Sequence, residues 1–135
     1  MASSPTSSRM SGPEREVWGR FLDARAEAQR PWTYELELGA GSFGPGATPP
    51  STPEFYLRAL KKRVDAAVIT PEETILAEVK EVGGMAALGQ LLTYRQLLWD
   101  ERKPTGLIAL WVVCGRVDYD VRRLFELYSV RVFEV

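Results

Sequence analysis

The stretch RVDAAVITPEETILAEVK, residues 63–80, holds two apolar runs around TPEET and three charges, Asp65, Glu78 and Lys80, near its outer ends. Runs this short and β-branched, broken by Pro and Glu, predict two strands of a hairpin whose apolar runs are buried on both faces. If the connection is symmetric about Pro71 and Glu72, residues whose numbers add to 143 face each other, which sets Asp65 opposite Glu78. Lys80 then shares the face of Glu78 and sits beside Arg63. Ala67, Ile69 and Leu76 make the rest of that face apolar, and the other face (Val64, Ala66, Val68, Ile75, Ala77, Val79) is apolar throughout. The charges are confined to one end of one face.

Cross-strand partners have Cβ atoms about 4.5–5.5 Å apart, so the two carboxylates can share one ligand. In a partly buried place they repel unless a proton or cation lies between them. Carboxylate oxygens with water suit Mg²⁺ (or Mn²⁺), which takes one or two carboxylates and leaves the rest of its shell to water and phosphate. A lysine beside such an ion can orient an attacking water and offset charge developing on a phosphate. An ion network of the same three residues on a solvated sheet edge is the other reading of the triplet.

Outward from the hairpin, Pro and acidic residues open a predicted helix over Pro13–Gln29, with Val17, Phe21 and Leu22 near helical spacing. WTYELELG alternates, so Trp32, Tyr34, Leu36 and Leu38 are expected on one face of a strand and Thr33, Glu35 and Glu37 on the other. Residues 39–53 are rich in Gly and Pro and read as a flexible loop; residues 54–61 fit either a short helix or the start of the next strand. After Gly83-Gly84, a helix from Met85 to about Glu101 carries an apolar stripe of Leu88, Leu91, Leu92, Leu98 and Trp99. GLIALWVVCG predicts a strand buried on both faces, YDVRRLFELYS a short helix and VRVFEV a last strand. Residues 1–12 are expected to be a disordered tail and 13–135 a single domain.

With 135 residues, the chain suits one domain. It has no histidine, which excludes Ser-His or Cys-His catalysis and His-ligated zinc within it. Cys114 stands alone in an apolar run and reads as a buried small hydrophobe. No segment suits a membrane span or secretion signal, so an intracellular, cytoplasmic protein is expected. The net charge of −1 excludes a uniformly basic surface, so nucleic-acid binding requires a local patch. Cations are mostly arginine, 13 against 4 lysines, which suits phosphate contacts and equally suits a GC-rich genome.

Asp65, twelve intervening residues, then Glu78-Val79-Lys80 resembles the signature of the PD-(D/E)XK nuclease superfamily. Gln90-Leu91-Leu92-Thr93-Tyr94, ten residues beyond Lys80, resembles the Gln-x-x-x-Tyr motif of its RecB-like branch. By spacing, Gln90 and Tyr94 share one flank of the helix, beside the leucine stripe and outside it. The resemblance covers roughly residues 13–115. It implies a restriction-endonuclease-like α/β fold, an αβββαβ core around a central mixed sheet, and a DNA phosphodiester hydrolase acting in repair, recombination or mobile-element processing. It also implies Asp65 and Glu78 as ligands of Mg²⁺ or Mn²⁺, Lys80 as the catalytic lysine, and Gln90 and Tyr94 as supports of the site or DNA contacts. The family often adds an acid from the first helix: Glu16 is the first choice, with Glu14 and Glu27 open. Val64 stands where the family's proline would be, and the single cysteine excludes the iron-sulfur cluster of some members. Lys61, Lys62, Arg63 and Arg95 are the expected DNA contacts, with Gly83 and Gly84 offering backbone N–H groups to a phosphate. Cutting two strands would suit a homodimer, although no stretch of sequence identifies an interface.

Overall fold

The computed structural model describes residues 9–41 and 61–135. Helix α1 (Gly12–Ala24) and a 3₁₀ turn (Ala26–Ala28) precede strands β1 (Thr33–Leu38), β2 (Lys62–Ile69) and β3 (Thr74–Gly83). Helix α2 (Met85–Arg102), β4 (Ile108–Val117), α3 (Arg122–Leu127) and β5 (Val130–Glu134) follow. The sheet order is β1-β2-β3-β4-β5, antiparallel from β1 to β3 and parallel from β3 to β5. The chain is thus an α/β protein built on a five-stranded mixed sheet flanked by helices. Parallel neighbours cannot be joined by a tight turn, and α2 and α3 are the two crossovers. Among the described residues no helix is long and apolar enough to cross a membrane.

The core has two layers. Trp18 and Phe21 of α1 pack with Ile75, Val79, Trp111 and Phe133 on one face of the sheet. Leu91 and Leu98 of α2 pack with Leu76, Leu110 and Phe125 on the other. Strands β3 and β4 lie between both layers, which is why their sequences are apolar runs rather than alternations. Cys114 is buried among them, and burial pushes its thiol up to about 11.

Four sequence expectations change. The helix predicted over Pro13–Gln29 ends at Ala24, because Arg25 is extended; the Gln29 amide donates to the Leu22 carbonyl and satisfies one of the helix's open acceptors. Four residues of the expected tail are placed: Met10 is buried, Ser11 forms a capping box with Glu14, and Gly12 starts α1. Residues 1–8, and residues 42–60 with most of the predicted loop and the ambiguous segment, lie outside the described residues.

The third change is in β1. Trp32 and Tyr34 pack in the α1 layer, whereas Leu36 and Leu38 pack in the α2 layer. Between them Glu35 has φ +57°, a left-handed backbone that turns the following side chains to the other face. The partner strand does the same: Ala66 and Val68 lie in the α1 layer, while Val64 lies in the α2 layer, although it was expected with them. The β1–β2 register runs unbroken on either side, Tyr34 with Ala66 and Leu36 with Val64, so both strands change face together at the level of Asp65. The fourth change is Trp99, assigned to the apolar stripe but 51% exposed.

Candidate active site

The hairpin pairs as its symmetry predicts: Ile69 with Thr74, Val68 with Ile75, Ala67 with Leu76 and Ala66 with Ala77, every pair adding to 143. Beyond Ala66 and Ala77 the ladder of paired residues ends, and side chains span the gap in its place. The Asp65 amide donates to Glu78 Oε1 at 3.3 Å, and the Val79 amide donates to Asp65 Oδ2 at 2.9 Å. Each carboxylate reaches across to the other strand's backbone. That exchange brings the two acids together and directs them to one cleft.

The cleft, about 310 Å³, is lined by Asp65, Glu78, Lys80, Gln90 and Tyr94 at its centre. Lys61, Lys62, Arg63, Arg9 and Glu14 complete its walls. Helix α2 returns antiparallel over β3, which is how Gln90 and Tyr94, one turn apart, come to face Glu78 and Lys80. Tyr94 is more deeply placed than its position beside the leucine stripe suggested: it is 4% exposed and belongs to the core.

Glu78 is 2% exposed. Burial pushes its carboxyl well above the ordinary range, and the charge of Asp65 pushes in the same direction; Lys80, with Nζ 3.8 Å from Oε2, offsets this in part. Asp65 is also raised by burial, against the opposing pull of the Val79 N–H. The Tyr94 hydroxyl is raised by burial and by the two carboxylates, so it stays protonated and able to donate. Among the described residues, the Gln90 side-chain oxygen is the one buried polar side-chain atom without a hydrogen-bond partner. A buried acceptor of this kind costs about 1–3 kcal/mol unless a donor completes it.

Two crowded carboxylates, an unmatched amide oxygen and room for water form a hard-oxygen donor set. It fits a divalent ion that retains much of its water shell, as Mg²⁺ and Mn²⁺ do. Among the described residues no three Asp, Glu, His or Cys side chains converge as a closed ligand set, so the fit is to a water-rich site and not to a structural metal cage.

The remaining expected residues divide. Glu14, not Glu16, is the acid that α1 places in the cleft, and its charge is felt by Asp65. Its carboxylate also accepts from the Ser11 amide at 3.0 Å. Glu16 lines a separate cavity with Arg20, Glu81 and Arg116. Residues two apart on a helix point about 200° away from each other, so one residue of choice decides the matter. Glu27 pairs with Arg131, away from the cleft. Lys61, Lys62 and Arg63 reach the cleft, and Arg63 also approaches Glu37 at 3.4 Å. Arg95 does not: it lines another cavity with Trp99 and Leu107. Gly83 is buried, its carbonyl accepting from the Asp118 amide, and a side chain there would meet Cys114 Sγ at 3.1 Å. The Asp118 carboxylate lies beside Gly84, where an anion at the start of α2 would have to sit. Arg9 was missed because it fell in the expected tail; it lies in the turn just ahead of α1 and lines the cleft beside Glu14.

A larger cavity, about 630 Å³, lies at the opposite end of the hairpin between Thr70–Ile75 and the loop after α2. It contains none of the crowded carboxylates, so its size does not make it the chemical centre. Compared with protein-family models, curated proteins and solved structures, the chain finds no significant match.

Proposed function

We propose that this protein is a metal-dependent nuclease of the PD-(D/E)XK type, hydrolysing DNA phosphodiester bonds in the cleft around Asp65, Glu78 and Lys80. The observation that carries the proposal is the crossed pair of carboxylates at the open end of the β2–β3 hairpin, joined in one cleft by Lys80, Gln90 and Tyr94. The mixed sheet, with one helix layer before it and one crossover helix returning over β3, supports a restriction-endonuclease-like core.

Asp65 and Glu78 would hold Mg²⁺ or Mn²⁺, each with one oxygen turned to a backbone N–H that fixes its direction. When bound, the ion supplies a water acidic enough to attack at neutral pH and positive charge against the phosphate. Lys80 holds an ammonium at the cleft, where it can offset negative charge growing on the phosphate oxygens. The Gln90 oxygen accepts from water and orients it. Tyr94 retains its proton and donates. Lys61, Lys62, Arg63 and Arg9 give the walls more cationic than acidic side chains, which favours a polyanion around a negative centre.

A second reading, a nuclease fold serving as a nucleic-acid-binding subunit without its own catalysis, is favoured by one observation: among the described residues no three acids are close enough to hold one ion, Glu14 lining the cleft without joining Asp65 and Glu78 in such a group. Incubation of the purified chain with single-stranded, duplex and branched DNA, with Mg²⁺ and with Mn²⁺, tests the proposal, with Lys80→Ala as control. Metal-dependent cleavage that disappears in the control is expected. Absence of cleavage on every substrate, with equal and negligible calorimetric heat of Mn²⁺ binding to wild type and Glu78→Ala, would leave the second reading.

A further inference from the structure

From the far side of α2 we infer a second functional surface: an apolar groove between α2 and α3 by which two copies of this chain associate. This inference is independent of the nuclease reading.

Both helices lie on the same face of the sheet, since Leu91 and Leu98 of α2 share a core with Phe125 of α3. The two helices nevertheless scarcely touch each other. At 100° per residue, Tyr94 and Gln90 set one flank of α2 toward the catalytic cleft, and Leu92 and Trp99 fall on the opposite flank, toward α3. On α3, Phe125 points into the core; at 100° per residue Leu124 and Tyr128 then fall on the flank toward α2, given right-handed crossovers, and Leu127, about 200° from Phe125, points outward from the sheet. Ile108 and Val132 of the strands beneath pack against the same core and are only partly covered.

The exposed fractions are large for such residues: Leu107 96%, Leu127 62%, Trp99 51%, Tyr128 48% and Leu124 39%. The other exposed large apolar residues among those described, such as Ile69, Met85 and Tyr119, are scattered over other parts of the molecule. Singly exposed apolar side chains are ordinary, but a contiguous group is not. These five leave on the order of 600 Å² of apolar surface open, the upper end of the largest patches on monomers. A two-fold contact uses one patch twice and covers about 1,200 Å² in all, where specific interfaces begin. A single patch of that size therefore suffices for a second copy, with no second surface required.

Sedimentation velocity of the full chain from about 1 to 200 µM, alongside the double variant Leu107→Glu, Leu127→Glu, tests the inference. Wild type is expected to move from monomer to dimer across the range, and the variant to weaken association by at least about tenfold with its melting temperature nearly unchanged. A wild type that stays monomeric throughout, as it would if the groove served some other protein, overturns the inference; so does a variant that dimerises as well as wild type. Cross-linking guards against a variant that fails to fold: a short bismaleimide should join chains carrying Leu127→Cys and not those carrying Tyr119→Cys, Cys114 being buried. Equal linkage, or none, at the two positions also overturns it.

Discussion

The two ends of the β2–β3 hairpin are built on opposite principles. At the turn, the Thr70 amide donates to the Glu73 carbonyl at 2.9 Å, and the Glu73 amide donates to the Thr70 hydroxyl at 3.1 Å. The acids there are harmless to the fold: Glu72 is exposed and Glu73 pairs with Arg30 at 2.9 Å. At the open end Glu78 is buried and Asp65 half-buried, and the two acids reach across to the opposite strand's backbone in place of the ladder's own hydrogen bonds. One strand pair thus carries a locally satisfied end, which stabilises the fold, and a crowded end, which costs stability and which, on the function proposed above, a cation would complete. Such a split is what a ligand-completed centre requires, since carboxylates that were fully matched internally would hold a metal poorly.

The comparison breaks first, and with the largest effect, at the acids. Asp65→Asn or Lys80→Ala should lower metal-dependent DNA cleavage by about 10²–10³-fold or more, measured on the best substrate of the panel. Unchanged cleavage in either variant would remove the open end from the chemistry.

Next in size is stability at the same end. Because the Asp65 and Glu78 carboxyls are raised above their ordinary values, the folded chain binds more protons than the unfolded one at pH values just above the usual carboxylate range. The metal-free protein should therefore lose stability as pH rises through that window and regain it on acidification. Glu78→Gln removes the buried charge in nearly the same shape. It should raise metal-free stability near neutral pH by about 1–2 kcal/mol, several degrees in melting temperature, and flatten the pH dependence. Mn²⁺ should raise the melting temperature of wild type more than that of Glu78→Gln. A Glu78→Gln variant less stable than wild type at every pH would mean that the open end stabilises the fold as the turn does.

At the turn, Thr70→Ala removes the local bonds and should cost about 1 kcal/mol, read by urea denaturation, with cleavage unchanged. The smallest effect separates the cleft wall from the far flank of α2. Lys61→Ala should weaken DNA binding modestly and reduce the slope of log affinity against log salt by about one, whereas Arg95→Ala, on the flank away from the cleft, should leave both unchanged. Equal effects of the two would extend the nucleic-acid surface over α2.

Much of the arrangement was legible in 63–80. The apolar runs and the Pro71-Glu72 turn set a register that the structure follows pair by pair, and the convergence of Gln90 and Tyr94 on the same cleft followed from helical spacing and a crossover over β3. What escaped the sequence depended on rotation. Glu14 and Glu16 differ by a turn of the helix about its axis, which is decided by how Val17, Trp18 and Phe21 seat against the sheet. Tyr94 and Trp99 exchanged their expected burial for the same reason. The face change in β1 came from a single left-handed residue, Glu35, at a position where alternation gives no warning.

By itself, then, the sequence determined which residues pair across the hairpin and which functional classes are closed to a chain without histidine, because turn chemistry, strand period and side-chain inventory are local properties. Tertiary structure alone decided how deeply Glu78 and Tyr94 are buried, which acid of α1 faces Asp65, and that the Gln90 oxygen lacks a partner. Those depend on the docking of two helix layers on one sheet, and docking angles are set by the fit of many side chains at once, which no short stretch encodes.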